Sequence, residues 1–151
     1  MDKTALVKKL GLIPHPEGGY FKETFLSDVP YQEQRLYSSI LFLLGEGDIS
    51  HLHILKEDEL WYYQDGEDCQ IYEIDSQGKL TVTAIGRDSG VFQHLVKKGT
   101  IFGSRIHGKT YTLVGCMVSP SFTYEHFHMV GKDELPEMEK EDLMKVLDMV
   151  A

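Results

Sequence analysis

Between residues 20 and 118 the chain is a succession of short runs rich in branched and aromatic residues, each closed by a cluster of turn formers. The runs are YFKETF, RLYSSILFLL, ISHLHIL, ELWYYQ, CQIYEI, LTVTAI, FQHLV, TIFGSRI and YTLVGCMV. The breaks between them include GEGD, KED, DGED, DSQGK, GRDSG, KKG and HGK. Many short strands joined by tight polar turns build an all-β sandwich or barrel and not a βαβ fold. The two ends differ. Residues 4–11 predict a short helix, with Thr4 as N-cap and Gly11 just past the last turn. LIPHPEGGY follows, where two prolines and a Gly-Gly pair forbid a regular element. From Asp133 onward the chain is acidic and helical in pattern, and Leu143, Val146, Leu147 and Val150 form one apolar stripe. That predicts a terminal helix packed on the barrel or on a partner subunit.

At 151 residues the chain has the length of one domain, expected over 1–151 with a barrel at about 19–130 and a helical acidic tail at about 133–151. Its longest apolar run is Ile40 to Leu44, far from the ~20 residues of a membrane span. The first residues lack the apolar core of a signal peptide. With 15 basic against 24 acidic residues the net charge is −9, and the basic residues cluster only as the pairs Lys8/Lys9 and Lys97/Lys98. Such a chain repels phosphate backbones, so the expected partner is a small molecule and not nucleic acid or a membrane. Cys69 and Cys116 sit in strand-like apolar contexts. They read as buried free thiols of a reducing, cytoplasmic compartment, not as a disulfide or zinc pair.

The stretch from Gly45 to Gly66, GEGDISHLHILKEDELWYYQDG, carries the chemistry. His51 and His53 are two apart on one predicted strand and point to one face; Glu59, Trp61 and Tyr63 share a face of the next. If those strands pair, His51, His53 and Glu59 converge, and two imidazoles with a carboxylate are a ligand set for Zn, Fe, Mn or Ni. Gln93 and His94 are candidates for a fourth ligand. HPEGGY is either a turn with positive φ at Gly18 and Gly19 or a segment crossing the barrel mouth that delivers Glu17, Tyr20 or Lys22. His15, His107, His126 and His128 read as surface or loop histidines, and neither a phosphate-binding loop nor a serine-nucleophile elbow is present.

The spacing Gly45-x5-His51-x-His53 and Glu59-x6-Gly66 resembles the first motif of the cupin superfamily, with one residue more between His53 and the glutamate than the superfamily pattern has. Glu57 would satisfy the shorter gap but miss the glycine, so Glu59 is favoured. The second cupin motif is degraded in VKKGTIFG: Lys97 stands for its proline, Gly99 matches, and Phe102 replaces the histidine that would be the fourth ligand. HPEGGYFKETF at 15–25, the strand from Ser39 to Leu44, KEDELWYYQDG and LVGCMVSPSF at 113–122 occur in the order of the cupin-5 subfamily, domain of unknown function 985. The resemblance spans about residues 10–130. It implies a double-stranded β-helix, the cupin jelly-roll barrel, with short N- and C-terminal helices, and commonly a homodimer. By comparison with the subfamily, Glu17, Gly19, Tyr20, Lys22, Glu23, His53, Glu59, Trp61 and Tyr63 are expected to line the barrel mouth, and Ser39 is a further candidate ligand-binding residue. Fold neighbours of the subfamily include metal-free sugar-nucleotide epimerases.

The expected function is binding of a small polar metabolite, a sugar or nucleotide-sugar, with epimerase- or isomerase-like acid/base chemistry. His53, Glu59, Tyr63 and Tyr20 would be its catalytic groups. No cofactor is required in that reading. The alternatives are a non-catalytic binding module and a metal-dependent cupin with a divalent ion on His51, His53 and Glu59.

Overall fold

Every pairing between strands is antiparallel. A computed structural model of the chain describes residues 2–151. Helix α1 (Lys3–Leu10) is followed by β1 (Ile13–Pro14), β2 (Tyr20–Leu26), β3 (Pro30–Tyr31), β4 (Gln34–Arg35) and β5 (Ser38–Gly45). Next come β6 (Ile49–Leu55), β7 (Asp58–Gly66), β8 (Cys69–Ile74), β9 (Leu80–Ile85), β10 (Gln93–Val96), β11 (Ile101–Arg105) and β12 (Tyr111–Ser119). β13 (Phe127–Met129) and helix α2 (Lys140–Val146) complete the series. Six strands pair in the order β1–β2–β5–β12–β7–β10, and five in the order β13–β6–β11–β8–β9. From β5 to β8, and again from β9 to β13, each strand lies in the other sheet from the one before it, so the chain winds around a common interior as a jelly roll. β3 and β4 form a separate ribbon. RLYSSILFLL is therefore not one strand: Arg35 belongs to the ribbon and β5 begins at Ser38.

Between the sheets lie Phe42, Leu44, Leu55, Trp61, Ile71, Phe102 and Val114, all nearly inaccessible. Burying each such side chain contributes about 1.5–3 kcal/mol. Helix α1 lies on the outer face of the larger sheet, and Leu6 of the helix and Leu12 just after it pack against Leu43 and Leu113. Its N-cap is Asp2, not Thr4, because the Asp2 carboxylate reaches the Ala5 amide at 2.8 Å while Thr4 lies inside the helix. The C-terminal segment covers the outer face of the smaller sheet, where Val146 and Met149 bury with Leu52, Tyr72, Ile74, Ile101 and Val130. The expected stripe is altered here. After Val146 the chain tightens into a 3-10 turn, Leu147–Met149, so Met149 takes the place one turn on and Leu147 faces outward. Among the described residues no helix is long and apolar enough to cross a membrane.

Candidate functional site

One end of the barrel interior is open, leaving a cavity of about 320 Å³. Most of its wall is apolar: Phe21, Ile40 and Phe42 from β2 and β5, Trp61 from β7, and Phe122 and Phe127 from the segment that crosses the rim. Into this wall are set His15, Glu17, Glu23, His53 and Glu59.

Glu17 is held by its backbone. The loop after β1 turns on Gly18 and Gly19, both at positive φ. A Cβ on Gly18 would collide with the Ile49 carbonyl, and one on Gly19 would stand 2.8 Å from the Leu43 oxygen, so the loop lies directly on β5 and β6 only because both residues are glycine. The Glu17 carbonyl accepts the His51 amide at 2.7 Å and the His51 ring Nδ1–H at 2.8 Å. The Glu17 side chain then points inward, and its Oε2 meets His53 Nε2 at 2.8 Å.

The register of β6 explains why His51 and His53 part company. β11 aligns Phe102 with His53 and Ser104 with Ser50, so β6 carries one residue more than its partner between these points. The bulge breaks the alternation that would have kept both rings on one face. His53 enters the cavity, while His51 clamps the loop. His53 Nδ1 lies 2.7 Å from the His51 carbonyl, which only accepts, so this nitrogen carries a proton. Burial alone would push the His53 pKa down. The adjoining Glu17 carboxylate, the hydrogen bonds and the Glu59 charge outweigh it and raise the pKa. For Glu17, burial works upward and is outweighed by the His53 imidazolium, which holds the carboxylate below its usual range. The pair is a buried imidazolium–carboxylate. His15 differs: its Nδ1 accepts the Glu17 amide at 3.1 Å, so the 3.8 Å approach to Glu17 Oε1 is not an ion pair. Burial keeps the His15 ring neutral by lowering its pKa.

Glu59 faces this pair from the other sheet. It is 9% exposed, and its Oε1 accepts the Trp61 indole N–H at 2.8 Å. Burial, followed by the charge of Glu17, pushes its pKa up to about 7. Glu59, Trp61 and Tyr63 do share the inner face of β7, as the alternation predicts. Glu57 lies instead in the turn between β6 and β7, turned toward His126 and Gln34.

Several expected cavity residues lie elsewhere. Tyr63 is buried nearer the closed end and donates to the Gly66 carbonyl at 2.5 Å. Tyr20 and Lys22 take the outer parity of β2; Tyr20 packs toward helix α1 under Lys3. Phe21 and Glu23, in the alternate positions, face inward. Gly19 serves the turn, and Ser39 gives way at the wall to its neighbour Ser38, whose hydroxyl accepts the Phe122 amide at 2.8 Å. His94 pairs with Glu73 outside the cavity, and Gln93 is exposed. Among the cavity groups not anticipated are His15, carried in by the same loop as Glu17, Tyr124 and Cys116. Burial, then Glu59 and Glu17, pushes the Cys116 thiol well above its usual range, so it is no nucleophile.

The donor set does not fit a metal. His53 Nε2 faces Glu17 and its Nδ1 is committed to a carbonyl. His51 Nδ1 is likewise committed, and one Glu59 oxygen is taken by Trp61. Phe102, where the second cupin motif has histidine, packs its ring 4.2 Å from that of His53. Among the described residues no three His, Cys, Asp or Glu side chains are placed to hold an ion.

A family model described as cupin superfamily (DUF985) matches residues 4–130. A crystal structure of a protein from Shewanella oneidensis is 36% identical with a TM-score of 0.92, covering 100% of this chain and 98% of that one. A hypothetical protein from Leishmania major is 32% identical with a TM-score of 0.82, covering 89% and 90%. Bacillus subtilis oxalate decarboxylase, at 19% identity and a TM-score of 0.58, shares the fold; 76% of this chain matches 29% of that one. Comparison with curated proteins gives no match.

Proposed function

The chain belongs to the cupin superfamily family of domain of unknown function 985, and from that premise we propose that its barrel cavity binds a small molecule and exchanges a proton with it through Glu59. One observation carries the reading: Glu17 and Glu59 face one largely apolar cavity with their pKa values driven apart, one down by His53 and the other up to about 7. Carboxyls separated in this way take different roles. Glu17 stays ionised and neutralises His53. Glu59 sits where a group gives and takes a proton with equal ease near neutrality. In this reading Glu59 is the working group and His53 is part of the field around it.

The occupant is small, because about 320 Å³ holds a ring with a short side chain and not a nucleotide-sugar. Epimerisation needs an acid on the opposite face of the substrate. Neither Tyr20 nor Tyr63, the tyrosines expected among the catalytic groups, lines the cavity. A binding module with a single proton-exchanging group is therefore the better-supported reading.

Trp61, the sole tryptophan, donates to Glu59 and so reports on it. Its fluorescence is expected to titrate with a midpoint near pH 7, and Glu59→Gln is expected to abolish that transition while leaving the fold intact. A flat wild-type profile, or an unchanged transition in the variant, overturns the assignment.

A further inference from the structure

The charges around the cavity are one-sided. Among the described residues three carboxylates line it, Glu17, Glu23 and Glu59, and no lysine or arginine does. The one cation, His53, is neutralised at 2.8 Å, and both ring nitrogens are spent, on Glu17 and on the His51 carbonyl. His15 uses Nδ1 as an acceptor. An anionic ligand would find no free positive group.

Glu59 is built in the opposite sense. It is nine-tenths buried, Trp61 holds one of its oxygens, and the other has no hydrogen-bond partner among the described residues while the side chain borders the cavity. That oxygen is open to the cavity, and a carboxylate oxygen with no protein donor is free to accept one from a ligand. Around it stand the faces and edges of Phe21, Phe42, Trp61, Phe122, Tyr124 and Phe127. Aromatic walls accept an apolar body, and their ring faces attract an organic cation.

We propose that the cavity selects small organic ammonium ions with an apolar body, the ammonium group donating to the free oxygen of Glu59 and the body packing on the aromatic walls. The proposal rests on Glu59 being the proton-exchanging group. It adds the chemical class of the ligand. The titratable groups facing Glu59 across the cavity are His15, Glu17, Glu23, His53, Cys116 and Tyr124, and none of them supplies an unpaired cation.

The test uses the full chain and three probes of one shape, benzylammonium, benzyl alcohol and benzoate, followed by Trp61 fluorescence and calorimetry. At pH 8 benzylammonium is expected to bind at least about tenfold more tightly than the alcohol, and benzoate not at all. Lowering the pH from 8 to 6 should weaken the ammonium by about tenfold, because Glu59 with a pKa of about 7 passes from mostly ionised to mostly protonated. It should leave the alcohol unchanged. In buffers of different ionisation enthalpy, ammonium binding at pH 6 should release close to one proton, a readout that needs no variant. Glu59→Gln should erase the preference for the ammonium. Equal binding of ammonium and alcohol, or tighter binding of benzoate, overturns the ligand class and leaves the cavity reading standing. If none of the three binds, both fall.

Discussion

The two faces of the smaller sheet bury side chains to the same degree and in opposite ways. Leu52 and His53 are neighbours on β6, at 0% and 2% exposure. Leu52 points outward into a dry core sealed by Val146 and Met149 from the C-terminal segment, with no buried carboxylate in the cluster. His53 points inward to a cavity with buried Glu17 and Glu59. The difference follows from strand alternation, which sends these consecutive side chains to opposite faces of β6. The apolar core of the outer face contributes stability independent of pH. The inner face binds stability to proton occupancy, as functional sites do.

Truncating the two neighbours tests this contrast most severely. Leu52→Ala should cost about 2–5 kcal/mol, with the same cost from pH 5 to pH 7. His53→Ala should cost about 3–5 kcal/mol at pH 7, because it strands the Glu17 carboxylate without a cation, and less at pH 5, where Glu17 can take up a proton. Urea unfolding at both pH values measures this. Parallel pH profiles for the two variants would dissolve the distinction between the faces.

A smaller effect, of opposite sign, is expected at Glu59. Its folded pKa of about 7 lies above the ordinary 4.5. Its contribution is therefore complete below pH 4.5 and is lost as pH rises through about 7. The gap, at about 1.4 kcal/mol per pH unit, sets a ceiling of about 3 kcal/mol. Glu59→Gln should thus raise stability at pH 8 by up to that amount and change little at pH 4.5. Glu17 and His53 work in a different window: the lowered carboxyl stabilises above 4.5 and the raised imidazole below 6.5. Thermal unfolding of the wild type should therefore be most resistant at mildly acid pH. A melting temperature that climbs steadily to pH 8 would contradict both assignments.

The smallest effect belongs to the outer face. Arg105 grips Asp148 with both terminal nitrogens and ties the C-terminal turn to β11. With the Asp148 side chain 59% exposed, Asp148→Asn should cost no more than about 1 kcal/mol, and salt should shrink the difference. A larger, salt-independent loss would give the outer face an electrostatic character it is not expected to have.

Much of the fold was readable in the sequence because period-two patterns and turn residues act locally. ISHLHIL, CQIYEI and LTVTAI coincide with β6, β8 and β9. His53, Glu59 and Trp61 were legible for the same reason. The failures have specific causes. Alternation separates Phe21 and Glu23 from Tyr20 and Lys22, yet the phase of β2 is set by how the Gly18–Gly19 turn seats on β5 and β6, a contact between distant residues. His51 was misplaced because a bulge is defined by the partner strand. The Glu17–His53 pair joins a loop to a strand more than thirty residues away, and no local spacing announces it.

The double hydrogen bond from His51 to the Glu17 carbonyl ties the loop's motion to the cavity's charge. Any fluctuation that frees the His51 amide also loosens the backbone that aims Glu17, so each such opening draws the counter-ion away from His53. Deuterium uptake at this single amide counts those openings, and a bound ligand that needs an intact ion pair slows it.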